Sequence, residues 1–323
     1  MGLFNFFSRG NSAHPRTRGK NIELSNDGFA RIKAPEFFGE YRRSPNGKWV
    51  ICWLDADPSG TRGGARDSGK GLYLLYDLHR DKVVLDGCLE RPNNGHVADV
   101  GVYLLEDWKF GAGLNGMLYA GDPSGKVLLR HTFDANIYNS EVSADGTWAV
   151  CQTCNSPESE DGDRLALFDL LSGRVLFSVH PETGWADSYD LRPSDGTVFV
   201  VLKGIGRLAY DANGRFLDAS AYEDARLKRG DFGDLLCSAE KLLKERPGNP
   251  AAAQRALEAA TRARTAGADA CSDWKARALK IQGLALEVLD RPAEALAAYS
   301  EALTLNPKIG VKRRADQLRK HLP

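Results

Sequence analysis

The sequence predicts a multidomain β + α chain, a repetitive β part over residues 22–219 followed by an α-helical part over 220–323. Three observations predict it. Strand-like segments recur between equivalent aspartates at Asp77, Asp122, Asp169 and Asp211, a period of 45, 47 and 42 residues. Near residue 220 glycines and aromatics thin out, alanine and leucine rise, and the apolar period changes from 2 to 3.6. The length of 323 residues suffices for about two domains.

Residues 1–21 read as a flexible basic tail. Leu3, Phe4, Phe6 and Phe7 cluster, but no positive charge precedes them and the run is too short for a signal-peptide core. Phe6 stands where a myristoylation pattern requires Ser or Thr. Ser8 to Lys20 then carries Arg9, Arg16, Arg18 and Lys20 without an acid, which suits a disordered tail or, less simply, an arm that touches a membrane surface. Nowhere does an apolar run approach the ~18 residues that span a bilayer, so no stable membrane anchor is expected and the cytoplasm is the expected location.

The repeat follows. Ser44-Pro45-Asn46-Gly47-Lys48-Trp49 matches Ser143-Ala144-Asp145-Gly146-Thr147-Trp148 and Pro193-Ser194-Asp195-Gly196-Thr197-Val198, with Asp99-Val100-Gly101-Val102-Tyr103 a looser copy. A second element recurs after each, as in Leu75-Tyr76-Asp77-Leu78 and Leu167-Phe168-Asp169-Leu170. It leads through a polar turn into an apolar strand, as in Gly173-Arg174-Val175-Leu176-Phe177 and Gly214-Arg215-Phe216-Leu217. Asn-Gly and Asp-Gly supply the positive φ of tight turns, and Trp, Tyr, Phe and Val suit pleated, half-buried strands. Short strands four to a ~45-residue unit make the blade of a β-propeller, so a small β-propeller-like domain of about four four-stranded units is expected. Residues 22–33 are expected to add a closing strand. The cadence resembles WD-type and related propeller repeats over about residues 36–219, although no Gly-His…Trp-Asp signature stands in register. A closed ring, a ring completed by a second chain and a looser β-sandwich all fit the pattern.

Beyond residue 220, helices are expected at 220–229, 231–245, 249–265, 272–289, 292–305 and 309–321, with breaks such as Pro247-Gly248-Asn249-Pro250 and Asp290-Arg291-Pro292. Leu279, Gly283, Leu286, Ala295, Tyr299, Ala302 and Pro307 fall at the spacings of a tetratricopeptide repeat, and this part resembles that family. The resemblance implies that Gly283 and Ala295 let paired helices approach, that Tyr299 and Ala302 pack between them, and that Pro307 stops the second helix. Gly230 to Pro247 resembles the second helix of an earlier, degenerate repeat, and residues 309–321 a solvating end helix.

Several familiar chemistries are closed. Cys151-Gln152-Thr153-Cys154 is a lone CxxC, and no second pair or ligand-spaced histidines complete a zinc site. Cys52 and Cys151 occupy the same register of the repeat, which assigns them to core packing. Gly111-Ala112-Gly113-Leu114-Asn115-Gly116 satisfies GxGxxG but leads into the strand-like Met117-Leu118-Tyr119, so it reads as a hairpin loop. GxxxxGK[ST], GxSxG and HExxH are absent. Neither metal nor cofactor is expected. Lys+Arg 43 against Asp+Glu 43 argues against nucleic acid as a partner.

Two surfaces remain as candidates. The long connections Asp55–Lys70, with Arg62 and Arg66, and Cys154–Asp163, with Glu158, Glu160, Asp161 and Asp163, share one propeller face with the links Cys88–His96 and His180–Asp187. His96, Trp185 and His180 complete that candidate set. The acidic run lacks a calcium-loop spacing, and deleting 60–67 or 156–162 is expected to leave stability nearly unchanged, because loop length enters only logarithmically. The second surface is the groove that the tetratricopeptide resemblance implies. Arg277, Lys280, Leu284, Glu287 and Val288 lie on one side of the 272–289 helix, two cations to grip the carboxylate of an acidic C-terminal peptide above an apolar floor. Charge is divided: residues 21–220 carry a net −9, and residues 221–323 a net +5 concentrated around Lys312, Arg313 and Lys320. The expected function is a non-enzymatic protein-binding scaffold, by analogy of fold. The alternative is an enzyme or small-ligand binder with its pocket at the loop face.

Overall fold

The structure, a computed structural model, describes residues 17–55, 67–111 and 113–321. The described residues divide into two compact units, those up to 201 with 209–217, and 202–208 with those from 218 onward.

The β part is four antiparallel sheets, each built from strands consecutive in the chain. The first contains β1 (Thr17–Arg18), β2 (Ile22–Leu24), β3 (Phe29–Ile32), β4 (Phe37–Arg43), β5 (Trp49–Leu54), β6 (Gly71–Asp77) and β7 (Lys82–Leu89). The second contains β8 (Pro92–Val97), β9 (Tyr103–Asp107), β10 (Gly116–Gly121) and β11 (Val127–Phe133). The third contains β12 (Ile137–Val142), β13 (Trp148–Thr153), β14 (Leu165–Asp169) and β15 (Arg174–Val179), and the fourth β16 (Ser188–Arg192), β17 (Thr197–Leu202) and β18 (Gly206–Asp211). The first strands β4, β8, β12 and β16 stand side by side in that order, which is the propeller-like arrangement the repeat predicts.

The repeated residues build the turns. Trp49 N–H and Trp148 N–H donate to Ser44 Oγ at 3.0 Å and Ser143 Oγ at 2.9 Å, around Gly47 and Gly146 at φ +73°. Each repeat aspartate accepts the N–H two residues on, His79, Ser124, Leu171 and Asn213 at 2.8–2.9 Å, the Asx turn that starts the next strand. Trp49 pairs with Asp77 and Trp148 with Asp169, so the register also repeats.

The core lies between successive sheets. On β9, Tyr103 and Leu105 pack against Trp49, Ile51 and Tyr73 of the first sheet, while Leu104 packs with Ala149, Cys151 and Phe168 of the third. Strand alternation thus feeds both neighbours. Cys52 and Cys151 are buried at equivalent positions, and burial raises both thiol pKa values.

Two expectations change here. Residues 22–33 do not close a ring: β2 and β3 extend the first sheet beyond β4, and Ile22, Leu24, Ala30 and Ile32 cover Val50, Cys52, Leu74 and Tyr76. Among the described residues no sheet precedes the first one, and its own extension covers that face. The fourth unit has three strands, because Gly214–Leu217 forms only an isolated bridge, Tyr210 to Phe216. Phe177 and Val179 of β15 crowd Gly214.

The helical part comprises α1 (Ala219–Arg229), α2 (Phe232–Glu245), α3 (Pro250–Thr265), α4 (Ser272–Val288), α5 (Pro292–Leu305) and α6 (Lys312–His321). Asp231 and Asn249 cap α2 and α3 by accepting Asp234 N–H and Ala252 N–H, and Pro250 and Pro292 open their helices. Six buried alanines of α3 allow close packing between α2 and α4. A Cβ at Gly283 would lie 2.3 Å from Tyr299 Cε1, so the glycine admits that ring between α4 and α5. The helices pack in succession, α1 on α2, α2 on α3, α3 on α4, α4 on α5 and α5 on α6. Among the described residues no helix is long and apolar enough to cross a membrane.

Candidate functional site

In an antiparallel sheet the connection between the second and third strands and the exit of the fourth lie at one end. The β5–β6, β9–β10 and β13–β14 connections therefore share that end with the links into β8, β12 and β16. Arg62 and Arg66 lie outside the described residues. At the base of their connection, Arg91 of the β7–β8 link pairs with Asp55 at 3.3 Å, both side chains buried.

The third sheet carries the better-defined part of this face. Gln152 of β13 is fully buried, accepts Ala186 N–H at 2.9 Å and donates to Gly184 O at 3.0 Å. Asn139 of β12 donates to Ala186 O and accepts the Tyr189 hydroxyl, both at 2.6 Å. These amides clamp the 180–187 link, whose Trp185 stacks on Tyr138 with ring centroids 5.0 Å apart and planes 28° apart. The indole N–H donates to Asp163 Oδ1 at 3.0 Å, and His180 Nδ1 lies 3.2 Å from Asp163 O. Trp185 nevertheless remains 41% exposed. Burial raises the Tyr138 hydroxyl pKa, and the negative charge of Asp187 adds to the rise.

The acidic connection is no loose insertion. Thr153 Oγ1 donates to Asp161 O at 2.5 Å, Asp134 N–H to Asp161 Oδ2 at 2.8 Å, and a Cβ at Gly162 would meet Ser156 O at 2.5 Å. These bonds argue against the expectation that 156–162 can be removed freely.

His96 is directed elsewhere. It is buried near the far end of β8, with Nδ1 2.9 Å from Glu141 Oε1 of β12. Beside it Glu106 accepts Asn94 Nδ2 at 2.9 Å and Ser140 Oγ at 2.6 Å. Burial raises the Glu106 carboxyl above its ordinary range, against the opposing pull of Ser140, His96, Asn94 and Arg42. Burial pushes Glu141 upward too, but His96, the Val142 N–H and Arg42 outweigh it and hold that carboxyl low. The loop-face candidates therefore separate: Trp185 and His180 meet at Asp163, while His96 joins an internal polar cluster that ties β8, β9 and β12.

On the helices, Arg277 is 2.5 Å and Lys280 3.6 Å from the carboxylate of Glu240 on α2, and the Arg277 guanidinium lies 5.4 Å from the Trp274 ring centre. Glu287 meets Arg314 of α6 at 3.0 Å and the Tyr299 hydroxyl. Leu284 packs into the Tyr299–Val311–Ala315 cluster, and Val288 against the α2–α3–α4 core. The chain itself thus supplies the carboxylate that faces the two cations.

Sequence reasoning missed Tyr138, Asn139 and Gln152, and took Asp163 only as one acid among several. Their signal is faint: polar residues standing in strands that the repeat otherwise makes apolar.

No family model matches the chain, and no curated protein matches it. Among solved structures it is similar to TolB from Acinetobacter baumannii, at 16% identity over 60% of this chain and 49% of that one, with a TM-score of 0.36. It is also similar to a chain of the mitotic checkpoint complex, at 10% identity over 59% of this chain and 60% of that one, with a TM-score of 0.37. The chain spans about half of the first and three-fifths of the second, and at these scores neither likeness carries a functional argument.

Proposed function

We propose that this chain is a non-enzymatic interaction protein that receives a protein or peptide partner on the loop face of its β part. The observation that carries the reading is the Tyr138–Trp185 stack, an exposed tryptophan held in one orientation by Asp163 and by a link clamped on Asn139 and Gln152. Tryptophan and tyrosine dominate interface energetics, and a rigid presentation lowers the entropy lost on binding. The helical part reads as a tetratricopeptide-like stack, supported by the Gly283–Tyr299 contact and the α4–α5 pair. The loop face is favoured over its groove because Glu240 already engages Arg277 and Lys280. An enzyme is not the favoured reading: Ser140 donates to Glu106 while His96 faces Glu141, and among the described residues no hydrogen bond pairs this hydroxyl with the imidazole.

A photo-crosslinking residue at exposed position 182, in the same link as Trp185, tests this in cells that produce the full chain. Discrete adducts at 182 and none at the exposed Leu171, at the opposite end of the third sheet, are expected. Equal or reversed yields would remove the loop face from consideration.

A further inference from the structure

The same surface has a definite charge. Residues 154–164 and 180–187 hold six carboxylates, Glu158, Glu160, Asp161, Asp163, Glu182 and Asp187, against one guanidinium, Arg164. That guanidinium is occupied, with Nε donating to Glu160 O at 2.8 Å and Nη2 3.8 Å from Glu160 Oε2. Asp163 sits at the indole edge, its backbone at φ +53° and its N–H on Cys154 O at 3.1 Å. One carboxylate oxygen accepts a hydrogen bond from the indole N–H, so the charge is fixed beside the ring.

We infer that the Tyr138–Trp185 surface takes an arginine-bearing segment of a protein partner, the guanidinium stacking on the exposed indole with Asp163 beside it. The inference rests on the loop-face reading above and adds the chemistry of the occupant. Tryptophan has the strongest face for a cation. A planar guanidinium stacks and can reach a neighbouring carboxylate with a second N–H, whereas an ammonium offers only a point charge. The carboxylates raise the local concentration of a cationic segment, and they oppose an acidic peptide or a nucleic-acid phosphate.

Fluorescence anisotropy with the full chain tests it, using a labelled glycine-serine peptide carrying three arginines and counterparts with lysine, alanine or glutamate in their place. The arginine peptide should bind best, lysine next, and alanine and glutamate far more weakly. Its affinity should fall about fivefold or more between about 50 and about 300 mM salt. Trp185→Ala and Trp185→Leu should each weaken it about tenfold, the leucine variant guarding against a cavity effect. Asp163→Asn keeps an acceptor for the indole N–H and removes the charge, and should weaken binding about threefold. Alanine or glutamate peptides that bind as well as arginine, or tryptophan variants that bind unchanged, would overturn the inference. Adducts at position 182 that map to a partner segment without arginine would sink this inference while leaving the loop-face reading intact. Absence of adducts there would sink that reading itself.

Discussion

At the scale of single residues, environment decides what each side chain does. Four aspartates recur along the sequence with the regularity of a site, yet each is spent on an Asx turn. Ser172 and the Leu171 N–H hold the Asp169 carboxyl below its usual range, and Asp169→Ala should destabilise the β part by about 1 kcal/mol, read by urea unfolding. Glu106 and Glu141, only two strands apart, respond in opposite directions. Burial raises Glu106 above its ordinary value of 4.5, so its contribution to stability is complete below that value and is lost as pH rises through the folded value. His96 keeps Glu141 low, so that contribution exists above 4.5 and is lost as pH falls through the folded value. Glu106→Gln retains an acceptor for Ser140 and Asn94 but no longer titrates. Its melting temperature should exceed that of the wild type at about pH 8 and converge with it at about pH 4. An unchanged pH slope would show that the Glu106 carboxyl titrates alike in the folded and unfolded chains.

Among the elements, close approach is the recurring device. The Gly283 gap filled by Tyr299 makes Gly283→Ala a sharp probe, since the new methyl group has no room between α4 and α5. A loss of about 1–3 kcal/mol is expected in the thermal unfolding of the helical part. The 156–162 segment behaves as part of the third sheet, through Asp161 and Ser156, and not as a tolerated insertion. Deleting it should cost about 2 kcal/mol, because Asp134 N–H loses its acceptor and Thr153 Oγ1 loses its bond to Asp161 O while keeping the Arg164 N–H. A melting curve indistinguishable from the wild type would restore the insertion view. The helices were legible to within about three residues because caps and prolines mark their ends.

For the whole molecule, the change of period near residue 220 corresponds to the passage from β18, ending at Asp211, to α1, beginning at Ala219. The segment between them includes Arg215, its side chain 77% exposed. Of the tryptic cuts beyond residue 200, the first should fall after Arg215, and the released C-terminal fragment should have a helical circular-dichroism spectrum. A first cut within 219–229 would mean that α1 frays before that segment opens.

The sequence by itself determined the four β units, their turn chemistry, the six helices and the order of the two parts. Those features are local: turn residues, alternation and caps act over a few positions and repeat along the chain. Tertiary structure alone decided which candidate residues meet. Tyr138 and Trp185 are separated by a full repeat, Asp163 reaches Trp185 from a different connection, and Glu240 reaches Arg277 from another helix. Such contacts depend on how whole sheets and helices stack, and no periodicity along the chain encodes which side chain stands across the gap.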